Sequence, residues 1–323
     1  MKGLVKYITY LLFLFGFIVM FVLFPSMDNF MDKLALERNI KNKVVIDDSV
    51  IVSKSNDVDT IKSKYLYEDY DFDNKYYPYY GILDDRYKPL YRQIYVNAIN
   101  TNSTFKPCID IYKEELSVVI EAVLYDHPEL FFLDNNYSYK YNNSGKCTQI
   151  ILKFNSTINN LEYNKALFDE VTNEIINEAN KYNTDYEKEL YVHDKLVSML
   201  HYDSRASMNQ TAYSALVNHN SVCAGYAHAF QYILIKLGIP CFYVTGDSTG
   251  DHAWNIVYID GNYYNVDVTW DNTLKSPYAY FNKSDIEFSD THTRGNLSSY
   301  LPTCDDISSN TAYIRVYMQN YAN

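Results

Sequence analysis

Residues 218–272 read NHNSVCAGYAHAFQYILIKLGIPCFYVTGDSTGDHAWNIVYIDGNYYNVDVTWDN, and this stretch decides the fold. It opens as a helix. Ser221 reads as the N-cap, which puts Cys223 in the first turn. Ala227, Phe230, Ile233, Leu234 and Leu237 then recur at three- and four-residue steps and mark one apolar stripe. Gly238 followed by Ile239 and Pro240 ends the helix, with a glycine for the left-handed cap and a proline that cannot extend it. A thiol placed in a first turn lies among unpaired amides at the positive end of the dipole, a setting that suits a cysteine nucleophile. Ala224 and Gly225 are small enough to let another element or a substrate approach.

A hairpin follows. His252 to Ile259 and Asn262 to Trp270 are rich in β-branched and aromatic residues and flank Asp260-Gly261, a two-residue type I′ turn signal. That turn pairs Ile259 with Asn262, His252 with Thr269 and Trp254 with Asp267. His252 and Asp267 then sit diagonally on one face, roughly 7–8 Å apart along the backbone, a gap that side chains can bridge. Ala253, Val257, Ile259, Tyr264, Val266 and Val268 make the other face. A three-residue turn would send Asp267 to the wrong side, so the pairing of imidazole and carboxylate demands the two-residue form.

Cys223 within Val222-Cys-Ala-Gly-Tyr-Ala227, His252 within His-Ala-Trp-Asn255 and Asp267 within Val266-Asp-Val-Thr-Trp270 together resemble the core of the transglutaminase-like superfamily. The order Cys, His, Asp and the compact spacing fit that core and fit papain-type proteases poorly. The resemblance covers roughly residues 160–300, and Asp126-His-Pro-Glu-Leu-Phe131 is similar to an upstream region of microbial members. It implies an α+β fold of the papain-like, transglutaminase-core type, with the nucleophile helix packed on an antiparallel sheet. It also implies roles: Cys223 attacks an amide carbonyl to form a thioester, His252 is general base and acid, and Asp267 orients the imidazole. Trp254, Trp270 and Tyr226 are the candidate substrate contacts. Tyr202 and the residues around 218–220 are candidates for a second oxyanion donor. Water as acceptor gives hydrolysis, and a lysine amine gives a crosslink. Animal crosslinking members carry glutamine and tryptophan where this chain has Val222 and Ala224. The alternative to an enzyme is a catalytically silent module that binds envelope protein or glycan as a scaffold.

The chain has 323 residues and a formal charge of −12. With 28 basic against 40 acidic residues there is no basic stripe to meet phosphates, which argues against nucleic acid and favours a basic protein or peptide substrate. Lys2 and Lys6 precede the uncharged run Ile8 to Phe24, and no small-residue cleavage site follows. That run is near the lower limit of the roughly 20 residues that span a bilayer. It reads as an uncleaved, single-pass signal anchor over residues 1–25, with the amino end inside and the domain outside a bacterial membrane. Residues 26–64 read as a polar stalk, 65–158 as a small α+β subdomain and 159–323 as the transglutaminase-like domain.

In the subdomain, Tyr87 to Asn100 and Glu114 to Tyr125 have helical spacing, while Leu130 to Leu133, Tyr137 to Tyr141 and Gln149 to Phe154 read as strands. His127 reads as a capping or packing residue. Leu161 to Lys181 and Asp185 to His201 are amphipathic helices expected behind the Cys223 helix. Tyr278 to Phe281 and Ala312 to Met318 read as added strands or edge segments, and Asp290-Thr-His292 as a loop without a role. Of the five cysteines none forms a CxxC pair, so neither a structural zinc nor any other metal or cofactor is expected. Cys108 with Cys147 is the first disulfide to consider among the three pairings open to the remaining four. The abundant tyrosine, 35 residues, reads as compositional drift.

Overall fold

The computed structural model describes residues 70–274 and 278–306. The anchor and stalk expected over residues 1–64, and the strand or edge segment expected at Ala312 to Met318, lie outside the described residues. Among the described residues no helix is long and apolar enough to cross a membrane.

The helices in chain order are α1 (Pro78–Ile82), α2 (Lys88–Ile99), α3 (Lys113–Asp126), α4 (Leu161–Ala179), α5 (Asp185–Met199), α6 (Ala212–Leu216), α7 (Cys223–Lys236), α8 (Val268–Thr273) and α9 (Asp285–Phe288). The strands are β1 (Thr104–Phe105), β2 (Leu133–Tyr141), β3 (Cys147–Phe154), β4 (His201–Tyr202), β5 (Asn220–Ser221), β6 (Cys241–Asp247), β7 (Asp251–Ile259), β8 (Asn262–Val266) and β9 (Thr293–Arg294). The order β8-β7-β6-β9 makes an antiparallel four-stranded sheet, and β1-β3-β2 makes a smaller one in the amino-terminal portion. Helices and strands are thus mixed in an α+β arrangement.

Helix α7 lies between the four-stranded sheet and a helical layer of α4, α5, α6 and α8. The sequence suggested one apolar stripe, but the helix is buried nearly all round, with Tyr226, Ala229, Phe230, Ile233 and Leu234 fully covered. A helix flanked on both sides has no face left for water. It ends as expected, with Gly238 at φ +80°. The cap at its start differs. Val222, in extended conformation, is the N-cap, and Ser221 turns its hydroxyl away to the Asn209 carbonyl.

The hairpin has the expected two-residue turn. Asp260 and Gly261 have φ of 50° and 92°, the signature of type I′, and Ile259 pairs with Asn262. The ladder stops at Asn255 opposite Val266. The strand anticipated as far as Trp270 is replaced by α8, because the Asp267 carboxylate caps that helix by accepting from the amides of Thr269 and Trp270. Tyr278 to Phe281 forms no strand and lies as an edge segment, with the Tyr280 carbonyl accepting from the Asp267 amide at 2.9 Å.

In the amino-terminal portion the helices and β3 appear within a residue or two of their expected limits, and β2 ends where expected, at Tyr141. The exception is Leu130 to Leu133. Pro128–Leu130 forms a single 3₁₀ turn, and β2 begins only at Leu133. Proline fixes the backbone in the turn conformation, and the Leu130 amide closes it onto the His127 carbonyl at 3.0 Å. Residues of both portions contribute to one hydrophobic core. The Tyr79 hydroxyl donates to the Tyr243 carbonyl at 2.5 Å, and the Gln231 amide donates to the Tyr125 carbonyl at 2.9 Å. Cys147 is a buried free thiol, so the anticipated bridge to Cys108 is not formed.

Gly225 explains the placement of α7. A Cβ there would collide with the Ser221 hydroxyl and come within 2.9 Å of the Asn209 and Thr211 carbonyl oxygens. Glycine to alanine inside a helix normally stabilises by about 1 kcal/mol. Gly225→Ala is expected instead to destabilise by roughly 1–3 kcal/mol, the usual cost of overpacking. Urea unfolding checks the sign, and a gain in stability would contradict this packing.

Candidate active site

Cys223 is the first residue of α7 and is only partly buried. Its amide and that of Ala224 belong to the opening turn, where no carbonyl of the same helix can reach them. Beside it lies an apolar patch of Val222, Ala224, Ala227, Tyr243 and Ala253, against which Tyr125 and Tyr202 pack. Tyr202, one of the candidate oxyanion donors, thus packs on the same patch as Cys223. His228, one turn further along α7, stacks on Tyr243 with ring centres 3.9 Å apart, and its burial pushes the imidazole down to a pKa of about 4.

His252 is the second residue of β7, opposite Gly246 of β6. The Asn255 side chain fastens this strand to α7 by donating to the Ala227 carbonyl at 3.0 Å. His252 Nε2 meets Asp267 Oδ2 at 2.6 Å, and the Cys223 thiol lies near enough to act on the charge of the same imidazole. Since Nε2 is committed to the carboxylate, Nδ1 is the nitrogen left for sulfur. Thiol, imidazole and carboxylate are thus brought into one neighbourhood. Trp254 does not face Asp267 as the extended ladder required, because the chain turns into α8 before that pair is reached.

Asp267 has no exposed surface. Its Oδ1 accepts from the Thr269 and Trp270 amides at 2.9 and 3.0 Å. Its Oδ2 accepts from His252 and also from His292 Nε2 at 3.1 Å. Burial alone would push this carboxyl up. The charge and hydrogen bond of His252, followed by those of His292, more than reverse it and hold the group well below the usual carboxylate range. Burial likewise works against a charged His252. The Asp267 and Cys223 charges and their hydrogen bonds outweigh it and raise the imidazole to about 10.

Helix α5 braces this assembly from behind. His193 Nε2 meets Asp271 Oδ2 of α8 at 3.0 Å, with both side chains fully buried. Asn272 donates to the Val197 and Leu200 carbonyls at 2.7 and 3.2 Å. Tyr226, expected at the substrate, belongs to this brace. It is fully buried and its hydroxyl donates to Asn272 Oδ1 at 3.1 Å. Trp254 is only 1% exposed and donates its indole N–H to Asn265 Oδ1, so it supports the site from beneath. Trp270 remains partly exposed, with its ring centre 6.0 Å from that of His252. His127 caps α3 and bonds Tyr91 and Glu129, away from these groups.

His292 was missed by sequence reading. It sits just before the two-residue strand β9, too short to leave a periodic signal, and reaches Asp267 only because β9 joins the edge of β6. His252, Asp267 and His292 offer ligand atoms within 4.8 Å of one another, close enough to hold a metal ion. The same atoms already satisfy one another through the hydrogen bonds given above.

A sequence profile of the Transglutaminase-like superfamily matches residues 169–268. This segment is a transglutaminase-like core. Human kyphoscoliosis peptidase is 28% identical over 128 residues, which is 34% of this chain and 19% of that protein. The mouse protein is 37% identical over 65 residues, 16% of this chain and 10% of its own length. The chain thus spans only a small part of either relative. Among solved structures, a crystal structure of a TGase shares 14% identity over 51% of this chain and 50% of its own, at a TM-score of 0.30. A protein described as a candidate cysteine protease from Cytophaga hutchinsonii shares 20% identity over 42% of this chain and 61% of its own, at a TM-score of 0.29.

The transglutaminase-like core makes one pH dependence explicit. Folded His252 keeps its proton to about 10, against an ordinary 6.5. Its contribution to stability is therefore full below the ordinary value, shrinks as pH rises, and is lost above the raised one. The margin in urea midpoint of the native chain over His252→Gln is expected to narrow steadily from about pH 6 to about pH 10. A margin that stayed level would contradict a raised imidazole.

Proposed function

We propose that this chain cleaves amide bonds of proteins or peptides through a thioester on Cys223. The observation that carries the reading is the 2.6 Å bond of His252 to Asp267, with the Cys223 thiol close enough to act on the same imidazole. With His252 protonated, the sulfur attacks as thiolate and forms a bond to the carbonyl carbon. The oxyanion is met by the opening amides of α7. The C–N bond then breaks as His252 gives its proton to the departing amine. Water, losing a proton to His252, attacks the thioester and releases the acid and the free sulfur. An amine in place of water gives acyl transfer by the same steps. Hydrolysis is favoured because Val222 and Ala224 depart from the pattern of animal crosslinking enzymes, and because a relative bears the name peptidase. The acidic surface suits basic substrates.

Cys223 is expected to react with iodoacetamide at neutral pH at least roughly ten times faster than Cys241 and Cys304. Burial removes both of the latter from solvent and raises their thiols, Cys304 to about 12. Native chain, but not Cys223→Ala, should fragment a basic peptide library. A fluorescent amine incorporated without fragments would instead make the enzyme a transferase. Equal labelling of all three thiols, with neither product formed, would leave only a silent scaffold.

The proposed place of action is the outer face of a bacterial membrane, held by residues 1–25, with envelope proteins as substrates. Protease added to intact cells is expected to release the domain. Complete protection would put it inside.

A further inference from the structure

The chemistry just proposed uses one imidazole, yet Asp267 receives two. The His292 side chain is 1% exposed and packs among Trp254, Trp270, Tyr280 and Phe288, with ring centres 5.0, 4.8, 5.7 and 4.4 Å away. Its Nδ1 lies 2.8 Å from the Thr291 hydroxyl, and its own amide donates to the Phe288 carbonyl at 2.8 Å. An ionised carboxylate can only accept, so Nε2 carries the hydrogen that points at Asp267 Oδ2. Both ring nitrogens are thus held, one by each partner.

Donors sharing an oxygen weaken each other, because each draws on the same negative charge. With four donors on its two oxygens, Asp267 is a poorer base than a carboxylate held by His252 and the cap alone. An acid–base histidine must both take a proton and give it back, so too strong a carboxylate would trap the proton on His252.

We propose that His292 is a positioning residue that holds Asp267 Oδ2 and tempers its pull on His252, so that the His252 proton stays transferable. This rests on the cysteine mechanism for its kinetic consequence, but not for its spectroscopic one. Gln and Met have similar unbranched side chains, and only Gln presents an N–H at the place of Nε2. His292→Gln is expected to keep kcat near the native value, and His292→Met to lower it roughly 10- to 100-fold with KM little changed. In proton NMR the far-downfield resonance of the proton between His252 and Asp267 should move further downfield in His292→Met and return in His292→Gln. Thr291→Val, which removes only the contact at Nδ1, should give a smaller change in the same direction and serves if the Met variant does not fold.

A shifted resonance without measurable turnover in the native chain would sink the proposed reaction while supporting the role of His292. Equal kcat and equal resonance positions in folded Met and Gln variants would overturn that role. So would a stoichiometric metal ion retained by the native chain and lost from both variants.

Discussion

A carboxylate with no exposed surface survives as an anion only if its oxygens are met by donors, and Asp267 is such a group. Two amides of α8, the imidazole of β7 and the imidazole preceding β9 converge on it. Three separate parts of the chain are thereby fixed to one side chain about two atoms across. The direction of His252 toward Cys223 follows from that convergence. Any shift of α8 would carry the carboxylate with it, which accounts for the buried brace from α5 through His193 and Asn272. The polar contacts behind the site are what keep its front in register.

Much of this was legible because the decisive contacts are local. The turn at Asp260-Gly261 sets the register through backbone preferences of two residues, and the register sets which face His252 takes. The nucleophile's place at the start of α7 followed from periodicity and a glycine stop. The reading went astray where a side chain competes with backbone pairing. Asp267 caps a helix instead of continuing a strand, and Val222 takes the cap position that Ser221 seemed to own. The first outcome is a local competition, won by the amides of Thr269 and Trp270, and the second depends on the Asn209 carbonyl, twelve residues before Ser221. Tyr226 was misplaced for a related reason. Helical neighbours of a nucleophile alternate between cleft and core, and only packing tells which is which.

Burial also sets the character of the charged groups away from the site. Asp126 is raised to about 7 and Glu189 to about 8, chiefly because each is withdrawn from water. Asp126 accepts from the amides of Tyr79 and Tyr80 and from the Tyr91 hydroxyl, fixing α1 to the end of α3. From there Tyr79 reaches the Tyr243 carbonyl on β6 and the Ser298 hydroxyl, which in turn accepts from the Thr245 amide. Where β9 leaves off, these groups take over the hydrogen bonding that an unpaired edge would otherwise offer to another chain.

The stitching of β6 by Tyr79 and Ser298 bears on modularity. The family profile matches residues 169–268, yet the strand carrying Tyr243 is finished off by a tyrosine upstream and a serine downstream of those limits. The matched core thus relies on hydrogen bonds from residues outside its own limits. A fragment cut at those limits would leave the Tyr243 carbonyl and the Thr245 amide of β6 without these partners.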